Sequence, residues 1–197
     1  NIPKSDIIIA GPPCQGFSLT GPRNIDDPRN KLYLSVFKTL KLTNPKAFVV
    51  ENVRGLKTMW DGNVFKEIIK KFESAGYIVT ESLLNSADYG VPQIRHRVFI
   101  VGIKKELDKK FEFPKPEFDK DNYITCGEAI SNLPSLENGE LKSNDYNEKP
   151  TTNYQRYVMD SNKIYNHEAT VHKQFVKDTI AWVPEGGNYK DLPKGVG

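Results

Sequence analysis

Cys14 stands in the run Gly11-Pro-Pro-Cys-Gln-Gly-Phe-Ser18, directly after the apolar stretch Asp6-Ile-Ile-Ile-Ala10. A thiol on a stiff Pro-Pro lead, followed by Gly16, predicts a constrained and exposed turn at the end of a strand. Open α/β sheets bind their ligands at that end. Backbone N–H groups and cations near such a turn favour the thiolate, which is the form that attacks carbon. Alone, a Pro-Cys pair also fits a plain structural turn.

Two further groups have chemistry in reach. Glu51-Asn52-Val53 closes a second apolar run. A carboxyl held at such a strand end can be desolvated, which raises its pKa and suits a proton donor. Gln93-Ile94-Arg95-His96-Arg97 enters a third run. Alternation along a strand sends Arg95 and Arg97 to the same face, where two guanidinium forks can grip a carboxylate, a phosphate or a pyrimidine carbonyl. Taken singly, a strand-end Glu or a pair of edge-strand arginines is also what a solvated surface looks like.

The elements that would position these groups are legible as periodicity. Residues 6–10, 47–51, 77–84 and 97–103 read as strands. Asp27-Pro28 reads as a helix start, with Leu32, Val36, Phe37 and Leu40 at helical spacing until Asn44-Pro45. Phe65, Ile68, Ile69 and Phe72 mark a second amphipathic helix, ended by Gly76. Strands alternating with helices indicate an α/β layered sheet, largely parallel, with the tight return into residues 97–103 making an antiparallel edge pair. Three stretches follow: an α/β region over 1–105, a proline- and charge-rich connector over 106–137 with a short helix near 125–133, and a polar tail over 138–197.

Hydrophobic residues make up 38% and charged residues 27% of the 197, which fits a globular chain and not a disordered one. No apolar run reaches the ~18–20 residues that cross a bilayer, and no secretion signal opens the sequence, so a cytoplasmic location is expected. The net charge of +3 permits nucleic-acid binding without diagnosing it. Cys14 and Cys126 are too few for a disulfide framework, and Cys126 reads as a small buried apolar residue.

Together the three groups carry a resemblance. Gly11-Pro-Pro-Cys-Gln-Gly-Phe-Ser18, Glu51-Asn52-Val53 and Gln93-x-Arg95-x-Arg97 stand in the order and rough spacing of the C5-cytosine DNA methyltransferases. Asp27-x-Arg29-x-x-Leu32, Ala87-Asp-Tyr-Gly-Val-Pro-Gln93, Asn166-His167 and Pro184-Glu-Gly-Gly-Asn188 extend the likeness over nearly the whole chain. It implies part of a Rossmann-like methyltransferase sheet dependent on S-adenosylmethionine, with the tail as the start of a target-recognition region. Cys14 would add to C6 of a cytosine turned out of double-stranded DNA, and Glu51 would protonate or hydrogen-bond N3. Arg95 and Arg97 would hold the base carbonyl and orient Glu51 and the thiol. Pro13 and Leu32 match positions bordering the cofactor. Pro12, Gln15, Ser18, Asn52, Val53 and Gln93 match positions that meet the substrate, Gln15 and Ser18 on a loop facing the DNA.

The resemblance departs in one respect: the family's glycine-rich Phe-x-Gly-x-Gly cofactor loop is absent, as are its acidic cofactor ligands. An internal fragment is therefore expected, binding S-adenosylmethionine poorly and turning over slowly or not at all. No metal site is expected, because His167 and His172 are spaced i, i+5 and do not share a helical face. The leading function is the modification partner of a restriction endonuclease. A tRNA cytosine methyltransferase keeps the chemistry and changes the polymer, and a non-catalytic DNA-binding relative discards the chemistry.

Overall fold

A computed structural model describes residues 2–13, 31–136, 145–146 and 148–196. The chain divides into two compact units, residues 1–124 and 125–197. Residues 106–124, within the stretch that reads as connector, thus belong with the sheet unit.

The first unit holds a four-stranded sheet of β1 (Ile7–Ala10), β2 (Ala47–Val53), β3 (Tyr77–Asn85) and β4 (His96–Lys104), in the order β1-β2-β4-β3. β1 and β2 pair in parallel, with Ala10 opposite Val50. β4 runs antiparallel to both of its neighbours, with Glu51 opposite Phe99 on one side and Leu84 opposite Arg97 on the other. The antiparallel element is therefore not confined to an edge pair. It is inserted between two strands that share a direction. Periodicity finds the strands but carries nothing about which one lies between which.

Helices α1 (Tyr33–Thr43), α2 (Gly55–Thr58) and α3 (Asn63–Ser74) follow from local sequence. Asn44 adopts the left-handed conformation and its N–H returns to Leu40 O, ending α1 just before Pro45. The helix start read at Asp27-Pro28 lies outside the described residues. α3 buries Phe65, Ile68 and Phe72, the i, i+3, i+7 stripe of an amphipathic helix. These meet Phe48 and Val50, the inward side chains of β2, whose burial alternates residue by residue. Phe48 is fully buried, with ring centroids 4.8 Å from Phe72 and 5.1 Å from Tyr77. A buried side chain of this size contributes about 1.5–3 kcal/mol. Its place depends on Gly102 across the ladder, since a Cβ there would lie 2.1 Å from the Phe48 ring.

The second unit contains short helices α4 (Cys126–Ile130), α5 (Asn153–Val158) and α6 (Gln174–Ala181). Thr125 with Glu128 and Thr152 with Gln155 form capping boxes that start the first two. Backbone and hydroxyl hydrogen bonds from Thr125 hold the Glu128 carboxyl below the usual range. Gln155 is buried, accepting from Thr151 N at 2.8 Å and donating to Ser131 Oγ at 2.9 Å. Cys126 departs from expectation: it is exposed, because it opens α4, a helix with no buried residue. Among the described residues, no helix is long and apolar enough to cross a membrane.

Candidate active site

The parallel pairing of β1 with β2 brings two of the motifs together. Ala10 lies beside Val50, so the next residues, Gly11 and Glu51, are neighbours at the carboxyl ends of both strands. A Cβ on Gly11 would sit 3.7 Å from Glu51 Oε2. The Pro-Pro lead to Cys14 therefore leaves the sheet beside the carboxylate. Cys14, Gln15 and Ser18 lie outside the described residues.

The third motif arrives on β4. Val53 pairs with Arg97 and Glu51 with Phe99, so Glu51 and Arg97 are diagonal neighbours on one face. Arg97 Nε donates to Glu51 Oε1 at 2.8 Å, and Arg97 Nη1 donates to the His96 carbonyl at 2.8 Å. The Glu51 side chain is 39% exposed and that of Arg97 23%. Glu51 thus has a guanidinium partner at a half-open position.

Glu51, Arg95 and Arg97 line one cavity of about 350 Å³, whose remaining walls include Leu84, Tyr89, Val91 and Phe99. A volume of this order falls in the range of small-ligand clefts, ~300–1,000 Å³. Charge is confined to one carboxylate and two guanidinium groups among apolar and aromatic walls. Such a site suits a flat, polar-edged ring whose faces are apolar.

Arg95 is held by its main chain. Its N–H donates to Asn85 Oδ1 at 3.1 Å, and its carbonyl accepts from Ser86 N at 3.0 Å and Ser86 Oγ at 3.1 Å. Gln93 is exposed and lies outside the cavity lining, with its N–H turned back to Val91 O at 2.7 Å. Val53 is half-buried beside Arg97 and also lies outside that lining.

Asn52 is placed on the opposite face, as period-2 alternation from Glu51 requires. It is 5% exposed; Nδ2 donates to the Pro12 carbonyl at 3.2 Å and Oδ1 accepts from Val53 N at 2.9 Å. The amide therefore fastens the lead to Cys14 onto the end of β2. Pro12, Pro13 and Asn52 border a second recess with Tyr33, Leu56 and Ile68. Its volume of about 10 Å³ is at the lower limit for one water. Leu32, half-buried, accepts from Ser35 N as α1 begins. The described residues near Pro13 and Leu32 thus do not by themselves fit a group as large as S-adenosylmethionine.

The family model for C-5 cytosine-specific DNA methylases matches residues 1–191. This chain belongs to that family. Among curated relatives of this methylase chain, the type II methyltransferase M.DdeI of Desulfomicrobium norvegicum is 41% identical over 194 residues, covering 95% of this chain and 47% of the relative. M1.HphI of Haemophilus parahaemolyticus is 37% identical over 196 residues, covering 98% and 46%. The methylase chain spans about half the length of these relatives. Of solved structures, a prophage-encoded DNA modification methyltransferase of E. coli superposes with a TM-score of 0.54 at 31% identity, covering 68% of this chain and 36% of that one.

Several residues of the cavity carry no signal of their own in the sequence. Tyr89 and Phe99 become walls only because of the register, although Tyr89 stands inside the Ala87–Gln93 run that supports the resemblance. Asn166-His167 and Pro184–Asn188 fall in the second unit. His167 Nε2 bonds the Pro134 carbonyl at 2.7 Å, and Asn188 caps the short 3-10 turn Tyr189–Asp191. His167 and His172 lie outside any helix, and no metal-binding cluster occurs among the described residues.

Proposed function

We propose that the whole protein methylates carbon 5 of cytosine in double-stranded DNA, as the modification partner of a restriction endonuclease. The observation that carries this reading is the convergence of Glu51, Arg95 and Arg97 on one cavity, next to the lead into Cys14. Family membership and the type II names of the relatives agree with it. S-adenosylmethionine is the methyl donor this reading requires. Pro13 and Leu32 would border it, and the described residues do not enclose it.

The chain's own residues account for activation of the base. Cytosine is a poor electrophile at C6. As the Cys14 thiolate forms its bond to C6, the C5–C6 π electrons shift through the ring and negative charge gathers at N3. A proton from the Glu51 carboxyl meets that charge as it develops. Arg97, 2.8 Å from Glu51, then holds the carboxylate that remains. Arg95 reaches the base carbonyl from the same face. Pro12, held by Asn52, sets the direction from which the thiol approaches. Gln15, Ser18, Val53 and Gln93 are assigned to the rim that meets the DNA. The target atoms are inaccessible within a duplex, so the base must leave the stack, at a cost of about a few kcal/mol.

Incubation with duplex DNA containing 5-azacytosine, and separately with matched RNA, tests the reading by mass spectrometry of denatured protein. Full-length protein is expected to form an adduct on DNA that disappears in Cys14→Ala. Adduct on RNA alone would transfer the activity to the tRNA branch. No adduct on either polymer would leave a DNA-binding relative without catalysis.

A further inference from the structure

Arg95 lines the cavity from the position just before β4, where its carbonyl is held by Ser86 N and Oγ and its N–H needs a separate acceptor. Its N–H is received by Asn85 Oδ1 at 3.1 Å. Asn85 is 8% exposed and spends its whole amide locally, donating through Nδ2 to Asp88 Oδ1 at 2.9 Å and to Tyr123 Oη at 3.2 Å. Tyr123 in turn donates to the same Asp88 oxygen at 2.5 Å. The three side chains close a triangle, and only one orientation of the Asn85 amide satisfies it. With both amide hydrogens aimed at Asp88 and Tyr123, the amide oxygen is left facing Arg95.

The triangle is tied to the segment that carries Tyr123. Glu117 N and Phe118 N both donate to the Asp88 carbonyl, at 2.9 and 3.1 Å, and Tyr89 Oη donates to the Pro114 carbonyl at 3.0 Å. Gly90 turns at φ 80° with the Phe118 ring 3.0 Å from where a Cβ would be, so the strap lies directly on the turn. A proline-rich stretch that reads as a connector is therefore fastened to the wall of the cavity.

We propose that Asp88 and Tyr123 are positioning residues for base activation: they fix the Asn85 amide, and through it the backbone from which Arg95 reaches the cavity. This rests on the assignment of the cavity to a cytosine. Neither residue touches the cavity's reacting groups, and their effect passes through Arg95 alone.

The test uses full-length protein and the rate constant of Cys14 adduct formation on 5-azacytosine DNA, with adduct amplitude reporting the folded, competent fraction. Asp88→Ala is expected to slow the rate constant about tenfold, the scale of coupling between contacting residues. Tyr123→Phe, which removes one hydroxyl, slows it less. Asp88→Asn, which keeps an acceptor oxygen in place, recovers most of the rate. In an Arg95→Ala background, neither Asp88→Ala nor Tyr123→Phe is expected to cost anything further. An equal loss in that background, or a loss confined to amplitude in both variants, overturns the proposal. Absence of adduct from the parent protein would instead overturn the cytosine assignment, and the positioning role with it.

Discussion

Glu51 and Arg97 are 2.8 Å apart across the β2–β4 ladder, joined on a diagonal that the register alone creates. Arg97 also returns one nitrogen to the His96 carbonyl, so its guanidinium is fixed in two directions. Replacing Arg97 by Lys keeps the charge but loses the planar fork. Adduct formation on 5-azacytosine DNA by full-length Arg97→Lys should fall by about 10²-fold, and by Glu51→Gln by about 10²–10⁴-fold, the range for a positioned acid. Adduct rates near those of the parent would remove both from the chemistry.

Asn52 acts on the other face of the same strand. Asn52→Ala leaves the Pro12 carbonyl without its donor and frees the lead to Cys14. The expected result is slower adduct formation with the Glu51–Arg97 pair intact, together with a stability loss of about 1 kcal/mol. Urea denaturation and adduct rates on the same preparation separate the two.

Gly102 admits no side chain. A methyl at this position would lie 2.1 Å from the ring of Phe48, which is itself wedged between Phe72 and Tyr77 and has nowhere to go. Gly102→Ala should destabilise the sheet unit by about 3 kcal/mol or more, at the upper end for an overpacked core. Chemical denaturation showing an unchanged midpoint would contradict this packing.

Tyr77 is fully buried, and its hydroxyl donates to the Pro45 carbonyl at 2.9 Å. Burial, with Glu106 contributing, pushes its pKa up from 10.0 to about 12. As pH rises the unfolded chain loses this proton first. The stability this group contributes is whole below pH 10 and is lost progressively towards pH 12. Tyr77→Phe should cost about 1 kcal/mol at neutral pH and flatten that alkaline decline. Denaturation midpoints across the window, compared between the two proteins, provide the check.

The recess beside Pro13 holds about 10 Å³. Calorimetry of the 197-residue chain with S-adenosylmethionine should accordingly give no saturating heat. Micromolar affinity would show that this stretch of the protein closes around the cofactor by itself.

Much of this was legible in the residues. Alternation placed Arg95 and Arg97 on one face, and both line the cavity. The 3.6-residue stripe of Phe65, Ile68 and Phe72 marked the buried face of α3. Alternation also puts Asn52 opposite Glu51, though reading the two as one motif obscures it. Other features had no local signal. The insertion of β4 between β2 and β3 is a choice among tertiary pairings, made by which apolar faces meet. Tyr123 lies in a stretch without periodicity, and its partners are set by a turn far earlier in the chain.

The strand order has a consequence for how the protein is made. β4 leaves the ribosome after β2 and β3, yet it lies between them. Until it arrives, β2 and β3 have no shared ladder, and Glu51 has no Arg97. Contacts between distant segments close late, because the intervening loop must be ordered first. A nascent chain therefore presents no half-assembled cavity: Glu51 and Arg97 come together in the same event that joins β2 to β3 through β4.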